Sequence, residues 1–276
     1  MTANAGTDAE VAVAAALAGA AVVRAMFGSA LARFDKSGGD FATAADLAAE
    51  KAVTEVIRAA RPADAMTGEE SGAVGAEGAE RRWLVDPLCG TLNYAARTML
   101  AAVNVALRAG PGITAAASAD PFSGEAFWTD GDRARLRSGS GSGSSDADAL
   151  LEPSPRTQLV DVNLDPPFPN APRFRAVSLL AQEAFTARFR PRVVSTTLAL
   201  AWVAAGRRAA YVTDGHLIDS VHFAAGIALC QAAGCIVTGI DGQPLHAGTG
   251  GLIAAADRQT HAALLEMITN QTAPRR

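Results

Sequence analysis

Apolar and polar positions follow two rhythms along this chain. Between residues 8 and 33, Ala, Val and Leu recur at helical spacing, broken by Arg24 and Arg33, and predict a helix ending near Gly28 or just beyond. A polar turn follows at Lys36-Ser-Gly-Gly39. A second helix is predicted after Thr43, with Asp46, Glu50, Lys51, Glu55 and Arg58 on its polar side and a stop near Pro62. Met66 to Ser71 ends a short strand, and Trp83-Leu84-Val85 reads as a buried strand that stops at Pro87. Strands at 100–107 and 112–118 flank a turn at Ala109-Gly110-Pro111, and Asp120 to Glu125 turns into a return strand at Ala126-Phe127-Trp128. Further on, strands are predicted at 158–163 and 209–212 and a last one at 234–238, with helices near 176–188, 196–206, 222–233 and 258–269.

Ser138 to Ser145 alternates Ser and Gly and reads as a flexible surface loop. It separates an α+β half, 1–137, from an α/β half, 146–276, within a single domain. There is no internal repeat. Strands and helices mixed in both halves predict an α/β (α+β) fold built as a layered sandwich.

Composition narrows the function classes. Of 276 residues, 49% are apolar, enough for a sizeable core, and the formal net charge is −4 without a long basic run. Nucleic acid is therefore not an expected partner. No apolar stretch is expected to span a bilayer. The Ala-rich N-terminus carries Asp8 and Glu10 and reads as a folded helix, not a signal peptide. Three cysteines, Cys89, Cys230 and Cys235, do not suggest a disulfide framework, so a cytoplasmic protein is expected.

The candidate chemistry lies in carboxylates at strand ends. Glu69 and Glu70 end one strand; Asp86 ends another, where Pro87 turns the chain. Gly90 lets backbone approach a ligand, and Thr91 opens a helix whose N–H groups can meet phosphate. Carboxylates beside an anion site make sense if divalent cations neutralise both; Mg²⁺ takes a few carboxylates plus phosphate and water. Two such ions can activate water and stabilise a leaving oxygen. An Asp-Pro pair alone is more often a turn, and Glu-Glu-Ser a solvated loop, so the ordered combination carries the signal.

That combination resembles the inositol monophosphatase family, within the group that includes fructose-1,6-bisphosphatase. The matching stretches are Lys36…Asp40-Phe-Ala-Thr43-Ala-Ala-Asp46…Glu50, Gly68-Glu69-Glu70-Ser71, Trp83 to Tyr94, Asp120 to Glu125, Tyr211…Phe223-Ala-Ala-Gly226 and Ala232-Ala-Gly234. The resemblance implies an αβαβα sandwich and hydrolysis of a small phosphorylated metabolite. It implies that Glu69, Asp86 and the carbonyl of Leu88 hold a first Mg²⁺. Thr91, with Asp46 or Glu69, would orient the attacking water, and the backbone of Cys89, Gly90 and Thr91 would meet the phosphate. It also implies a homodimer.

Two departures fall on one site. The family's loop reads Asp-Pro-x-Asp-Gly-Thr, and Cys89 stands at its second Asp; the family's Trp-Asp-x-Ala-Ala-Gly becomes Val221-His222-Phe223-Ala-Ala-Gly226. Thiolate and imidazole suit Zn²⁺ or similar ions better than Mg²⁺. Three readings stand open. The first is a phosphatase with one metal, or with a second site rebuilt by Glu70, Asp219 or water. The second is a Zn²⁺ or other transition-metal site at Asp86, Cys89 and His222. The third is a repurposed or degenerate fold that binds a phosphorylated ligand without efficient hydrolysis, or does other chemistry with Cys89. Cys89 can equally be a small buried hydrophobe, and His222 a helix cap. The substrate side also differs: Val194-Ser195-Thr196-Thr197 replaces a Gly-Ser-Ala-Ala-like turn, and Thr213-Asp214 stands where a diol-binding Glu is common. Ser195, Thr196 and Asp214 are the substrate-side candidates, and a sugar, cyclitol or nucleoside phosphate is expected in preference to inositol phosphate.

Overall fold

Helix α1 (Asp8–Met26) starts at a capping box: the Thr7 hydroxyl accepts from Glu10 N at 3.2 Å, and Glu10 accepts from Thr7 N at 2.6 Å. The structure is a computed structural model that describes residues 6–36, 41–139, 148–164, 176–215, 217–248 and 250–272. Asp40, the turn at 37–39 and positions 140–145 of the Gly/Ser stretch lie outside those residues. The chain divides into two compact units. One comprises Met1–Leu150, Thr196–Leu198 and Val221–Leu229; the other comprises Leu151–Ser195, Ala199–Ser220 and Cys230–Arg276.

In the first unit α1 packs on α2 (Ala44–Ala60) and on an eight-stranded sheet. The sheet comprises β3 (Ala65–Gly68), β4 (Gly72–Val74), β5 (Arg81–Cys89), β6 (Ala102–Ala109), β7 (Gly112–Ala119), β8 (Ala126–Thr129), β9 (Ala134–Arg137) and β10 (Ala149–Leu150). Its order is β10-β9-β8-β7-β6-β5-β3-β4, and only β3 and β5 run parallel. Alanines at 9, 12, 15, 16 and 20 face the core and let α1 lie close to its neighbours. At Gly19 a Cβ would stand 2.8 Å from Val53 and 2.9 Å from Val103, so only glycine fits that crossing. By length and composition alone α1 is apolar enough to cross a bilayer, contrary to the sequence expectation. Half of that stretch is buried within the protein, so its apolarity serves this core. A short hairpin, β1 (Arg33–Asp35) with β2 (Phe41–Thr43), leads into α2.

The second unit holds β11 (Leu159–Val162), β12 (Arg190–Val193), β13 (Ala210–Thr213), β14 (Ile236–Thr238) and β15 (Leu252–Ala255) in the order β12-β11-β13-β15-β14. β11 is parallel to both its neighbours, and β15 is antiparallel to β13 and β14. The C-terminal helix α8 (Arg258–Thr272) and short helices α4 (Ala176–Leu180) and α5 (Glu183–Arg188) enclose the core around Val160, Val162, Phe185, Val212, Ile253 and Leu264.

Several boundaries differ from expectation. β5 runs through Pro87 to Cys89, because its pairing with β6 shifts register between Asp86 and Cys89 and the proline's missing N–H falls in that irregularity. α1 stops at Met26, short of Gly28. The helix predicted at 176–188 is broken into α4 and α5. β12 and β15 went unpredicted, and 234–238 is not the last strand. Asp46 and Glu50, placed on a polar helix face, are buried instead.

Candidate functional site

The parallel pairing of β3 with β5 creates the site. Gly68 lies opposite Val85, so the next residues, Glu69 just past the end of β3 and Asp86 within β5, stand side by side. Glu69 N donates to Val85 O at 3.0 Å and fixes that exit. Glu50 on α2 accepts from Glu70 N and Ser71 N, both at 2.8 Å, and holds the following turn. Gly68 makes room for it: a Cβ there would stand 2.5 to 2.7 Å from the Glu50 carboxylate. Gly68→Ala is expected to push Glu50 off those two amides, at a cost of about 2 kcal/mol in urea unfolding, the range for a lost hydrogen bond to a charged group.

Two side-chain cations meet this cluster. Lys36 Nζ lies 2.9 Å from Glu69 Oε1 and 2.7 Å from Glu70 Oε1. His222 Nδ1 lies 2.9 Å from Asp86 Oδ2 and 3.8 Å from Glu69 Oε2. Burial and the Asp86 charge push the Glu69 carboxyl up to about 8, against the pull of His222 and Lys36. Burial alone lowers the His222 imidazole, but Asp86 and Glu69 outweigh it and raise it to about 9. The two carboxyl groups thus face an ammonium and an imidazole nitrogen.

Asp46 and Thr91 form the second element. Asp46 Oδ2 accepts from Thr43 N at 2.8 Å and Thr43 Oγ1 at 2.6 Å, the capping box of α2. Its other oxygen, Oδ1, faces Thr91 Oγ1 at 3.0 Å, and that hydroxyl also stands 3.0 Å from Leu88 O. Burial raises the Asp46 carboxyl, against the hydrogen bonds from Thr43 and Thr91. Gly90 adopts φ 98°, the left-handed conformation that turns the strand into α3 (Thr91–Ala95).

Cys89 takes a different course. Its sulfur accepts from Thr197 N at 3.3 Å and Thr197 Oγ1 at 3.0 Å. Behind it runs a buried relay: Ser118 Oγ donates to Asn104 Oδ1 at 2.8 Å, and Asn104 Nδ2 to Thr197 Oγ1 at 2.8 Å, with a longer approach to Asp86 Oδ2 at 3.4 Å. Burial and the Asp86 charge push the Cys89 thiol well up, more than the Thr197 donors lower it. Among the described residues, the group whose ligand atoms lie within 4.8 Å of one another is Glu69, Asp86 and His222. Thus Glu69, and not Cys89, joins Asp86 and His222.

Thr196 caps Leu198 N at 3.3 Å, ahead of α6 (Leu198–Ala204), and belongs to the first unit. Ser195 and Asp214 belong to the second; Asp214 is buried and accepts from Gly215 N at 2.7 Å. Asp219 also lies in the second unit, at φ 53°. Sequence reasoning missed Lys36 as a partner of both glutamates, Glu50 as the brace, and the Ser118-Asn104-Thr197 relay. Its available signal was a lone Asn within the apolar run Ala101 to Leu107.

The sequence model of the Inositol monophosphatase family matches residues 6–273. The chain belongs to the inositol monophosphatase family. An inositol-1-monophosphatase from Caulobacter vibrioides is 32% identical over 239 residues, covering 84% of this chain and 89% of that protein. The Nus factor SuhB of Pasteurella multocida is 30% identical over 230 residues, covering 81% and 80%. Among solved structures, the extragenic suppressor protein suhB from Bartonella henselae superposes with a TM-score of 0.78 at 26% identity, over 94% of this chain and 97% of its own. The fold is thus of the inositol-monophosphatase type, and the family is one of metal-dependent phosphatases.

Proposed function

We propose that the chain hydrolyses a small phosphate monoester, such as a sugar, cyclitol or nucleoside phosphate, with a divalent cation bound at Glu69, Asp86 and the Leu88 carbonyl. The observations that carry this reading are the Thr91–Asp46 hydrogen bond and the gathering of Glu69, Asp86 and His222 ligand atoms within 4.8 Å of one another. The donor set fits: two carboxylates and a carbonyl are hard oxygen ligands of the kind Mg²⁺ takes. A cation bound there supplies Lewis-acid polarisation of phosphoryl oxygen and a lowered pKa for bound water.

The chain's own residues supply the rest. When the Thr91 hydroxyl gives its hydrogen to Asp46 Oδ1, its lone pairs can accept a hydrogen from a water and aim that water at phosphorus. Thr43 keeps Asp46 in place through both its amide and its hydroxyl. Gly90, with no Cβ, lets phosphate approach the backbone of Cys89, Gly90 and Thr91. Hydrolysis of this kind rests on positioning and electrostatics, with little covalent work for the protein.

A phosphate-release screen over sugar, cyclitol and nucleotide phosphates, each with Mg²⁺, Mn²⁺ and Zn²⁺, tests the proposal. Absence of turnover in every pairing, from folded protein, would overturn it. Thr91→Val keeps the shape and removes the hydroxyl. It is expected to lower kcat by about 10²- to 10⁴-fold, the range for a lost acid–base group, while leaving the melting temperature within a few degrees.

His222 and Cys89 favour a second reading, in which the site binds a phosphorylated ligand without efficient hydrolysis. A relative bearing the name Nus factor supports a role apart from turnover. The double variant Cys89→Asp with His222→Asp separates the two. Strong Mg²⁺-dependent activity in the variant and almost none in the native chain selects the second reading; equal activity selects the first.

A further inference from the structure

We propose that Glu69, Asp86 and His222 form a single nitrogen-and-oxygen site that selects a transition-metal ion such as Mn²⁺, Co²⁺ or Zn²⁺ over Mg²⁺, with Cys89 excluded from it. This rests on the reading that the carboxylate cluster takes a cation, and it names which cation the chain has become suited to.

Three observations carry it. The ligand atoms are already gathered within 4.8 Å of one another, the His222–Asp86 pair at coordination spacing and Glu69 a few tenths of an ångström beyond it. Ions of this class bind N and O ligands at about 2.0–2.2 Å, which sets neighbouring ligand atoms about 3.0–3.4 Å apart; His222 Nδ1 lies 2.9 Å from Asp86 Oδ2 and 3.8 Å from Glu69 Oε2. The donor set has changed character. An imidazole nitrogen suits Zn²⁺, Co²⁺ and similar ions, whereas Mg²⁺ prefers oxygen and keeps its waters. The sulfur that would complete a softer site is engaged elsewhere. Thr197 gives Cys89 Sγ two donors, at 3.3 Å and 3.0 Å, and Asn104 and Ser118, both fully buried, hold the Thr197 hydroxyl in that orientation. To ligate a metal, Cys89 would have to break a buried relay whose polar atoms have no water to turn to.

The Asp86 carboxylate is fixed for the same purpose. Leu88 N donates to its Oδ1 at 3.2 Å, and Asn104 approaches its Oδ2, orienting the ligand from behind as outer partners of metal ligands do. His222 keeps 43% of its side chain exposed, so solvent reaches the ring.

The test is a cobalt titration of the full-length chain after chelator treatment, read by absorption. The expected result is stoichiometric Co²⁺ showing visible d–d bands but no intense near-ultraviolet sulfur-to-cobalt charge-transfer band. Excess Mg²⁺ leaves the cobalt in place, and Zn²⁺ displaces it. His222→Ala, at a half-exposed position where the fold survives, weakens cobalt binding by about tenfold or more; Cys89→Ser leaves the cobalt affinity unchanged. His222→Asp lets excess Mg²⁺ displace the cobalt. Equal affinity in His222→Ala, displacement by equimolar Mg²⁺, or no cobalt binding would overturn the inference. So would a charge-transfer band that Cys89→Ser abolishes, because it would place the sulfur on the metal. Cobalt bound as expected with no phosphate released from any substrate would defeat the phosphatase reading alone. Turnover with Mg²⁺ and no cobalt binding would defeat this inference alone.

Discussion

Asp86→Asn is expected to abolish phosphate release while leaving the cation-free protein as stable as before, or more so. Asp86 is fully buried, lies 2.9 Å from His222 and sits on β5 beside Glu69. Its charge is the largest influence after burial on Glu69, whose carboxyl it helps drive up to about 8. The amide keeps the shape and removes that repulsion. The Glu69 carboxyl then falls towards the ordinary range, and His222 loses its main partner. Without a cation these changes offset one another. With one, the loss of a carboxylate ligand removes several kcal/mol of stabilisation from the transition state, so kcat/KM falls by about 10³-fold or more. Phosphate release measured beside a metal-free thermal melt checks both halves. Retained turnover would remove Asp86 from the cation's ligands. A large drop in the metal-free melting temperature would show that Asp86 serves the fold first. The expected divergence is the signature of like charges held together for function at the expense of stability.

How much of this could be read from the chain depends on how local each contact is. Asp86, Gly90 and Thr91 lie within one short loop, and Glu69 follows a strand, so their chemistry was visible in residue type and order. That Glu69 and Asp86 come together depends on parallel pairing between β3 and β5, which no periodicity reports. The brace from Glu50 reaches across twenty residues, and the Thr197 donors reach Cys89 across 108. From residue types alone, Cys89 and His222 looked like two ligands of one metal. The relay that turns the sulfur to Thr197 is built from Ser118 and Asn104, polar residues set among apolar neighbours in strands that read as strand and nothing more. The fold was legible where elements were long. β12 was missed because Arg190-Pro191-Arg192 contradicts strand propensity; it is tolerated because β12 is an edge strand that pairs only with β11. β15 was missed because four apolar residues after a glycine-rich loop carry too short a pattern.

Arg208→Ala is expected to destabilise the second unit by about 3–5 kcal/mol near pH 8, because it strands a buried charge. Asp161 sits on β11, flanked by β12 and β13, with no exposed surface, and Arg208 Nε reaches both its carboxylate oxygens, at 3.0 and 2.8 Å. The guanidinium also lies over the Trp202 ring, 4.6 Å from its centre, so the change removes packing as well as charge. Burial already holds Asp161 up at about 6, against the charge and hydrogen bonds of Arg208. Without Arg208 it rises further. A carboxyl raised in the folded state contributes its stability at low pH, below the ordinary value of 3.8, and loses it as pH climbs through the folded value. The variant should therefore recover part of its deficit as pH falls from 8 towards 5, where Asp161 becomes neutral. Urea unfolding of the native and variant chains at both pH values measures this. The paired replacement Asp161→Leu with Arg208→Leu supplies the control: removing both charges together is expected to cost far less than removing the arginine alone. If the pair and the single variant were equally unstable, the loss would belong to packing against Trp202, and the buried ion pair would carry no energetic weight.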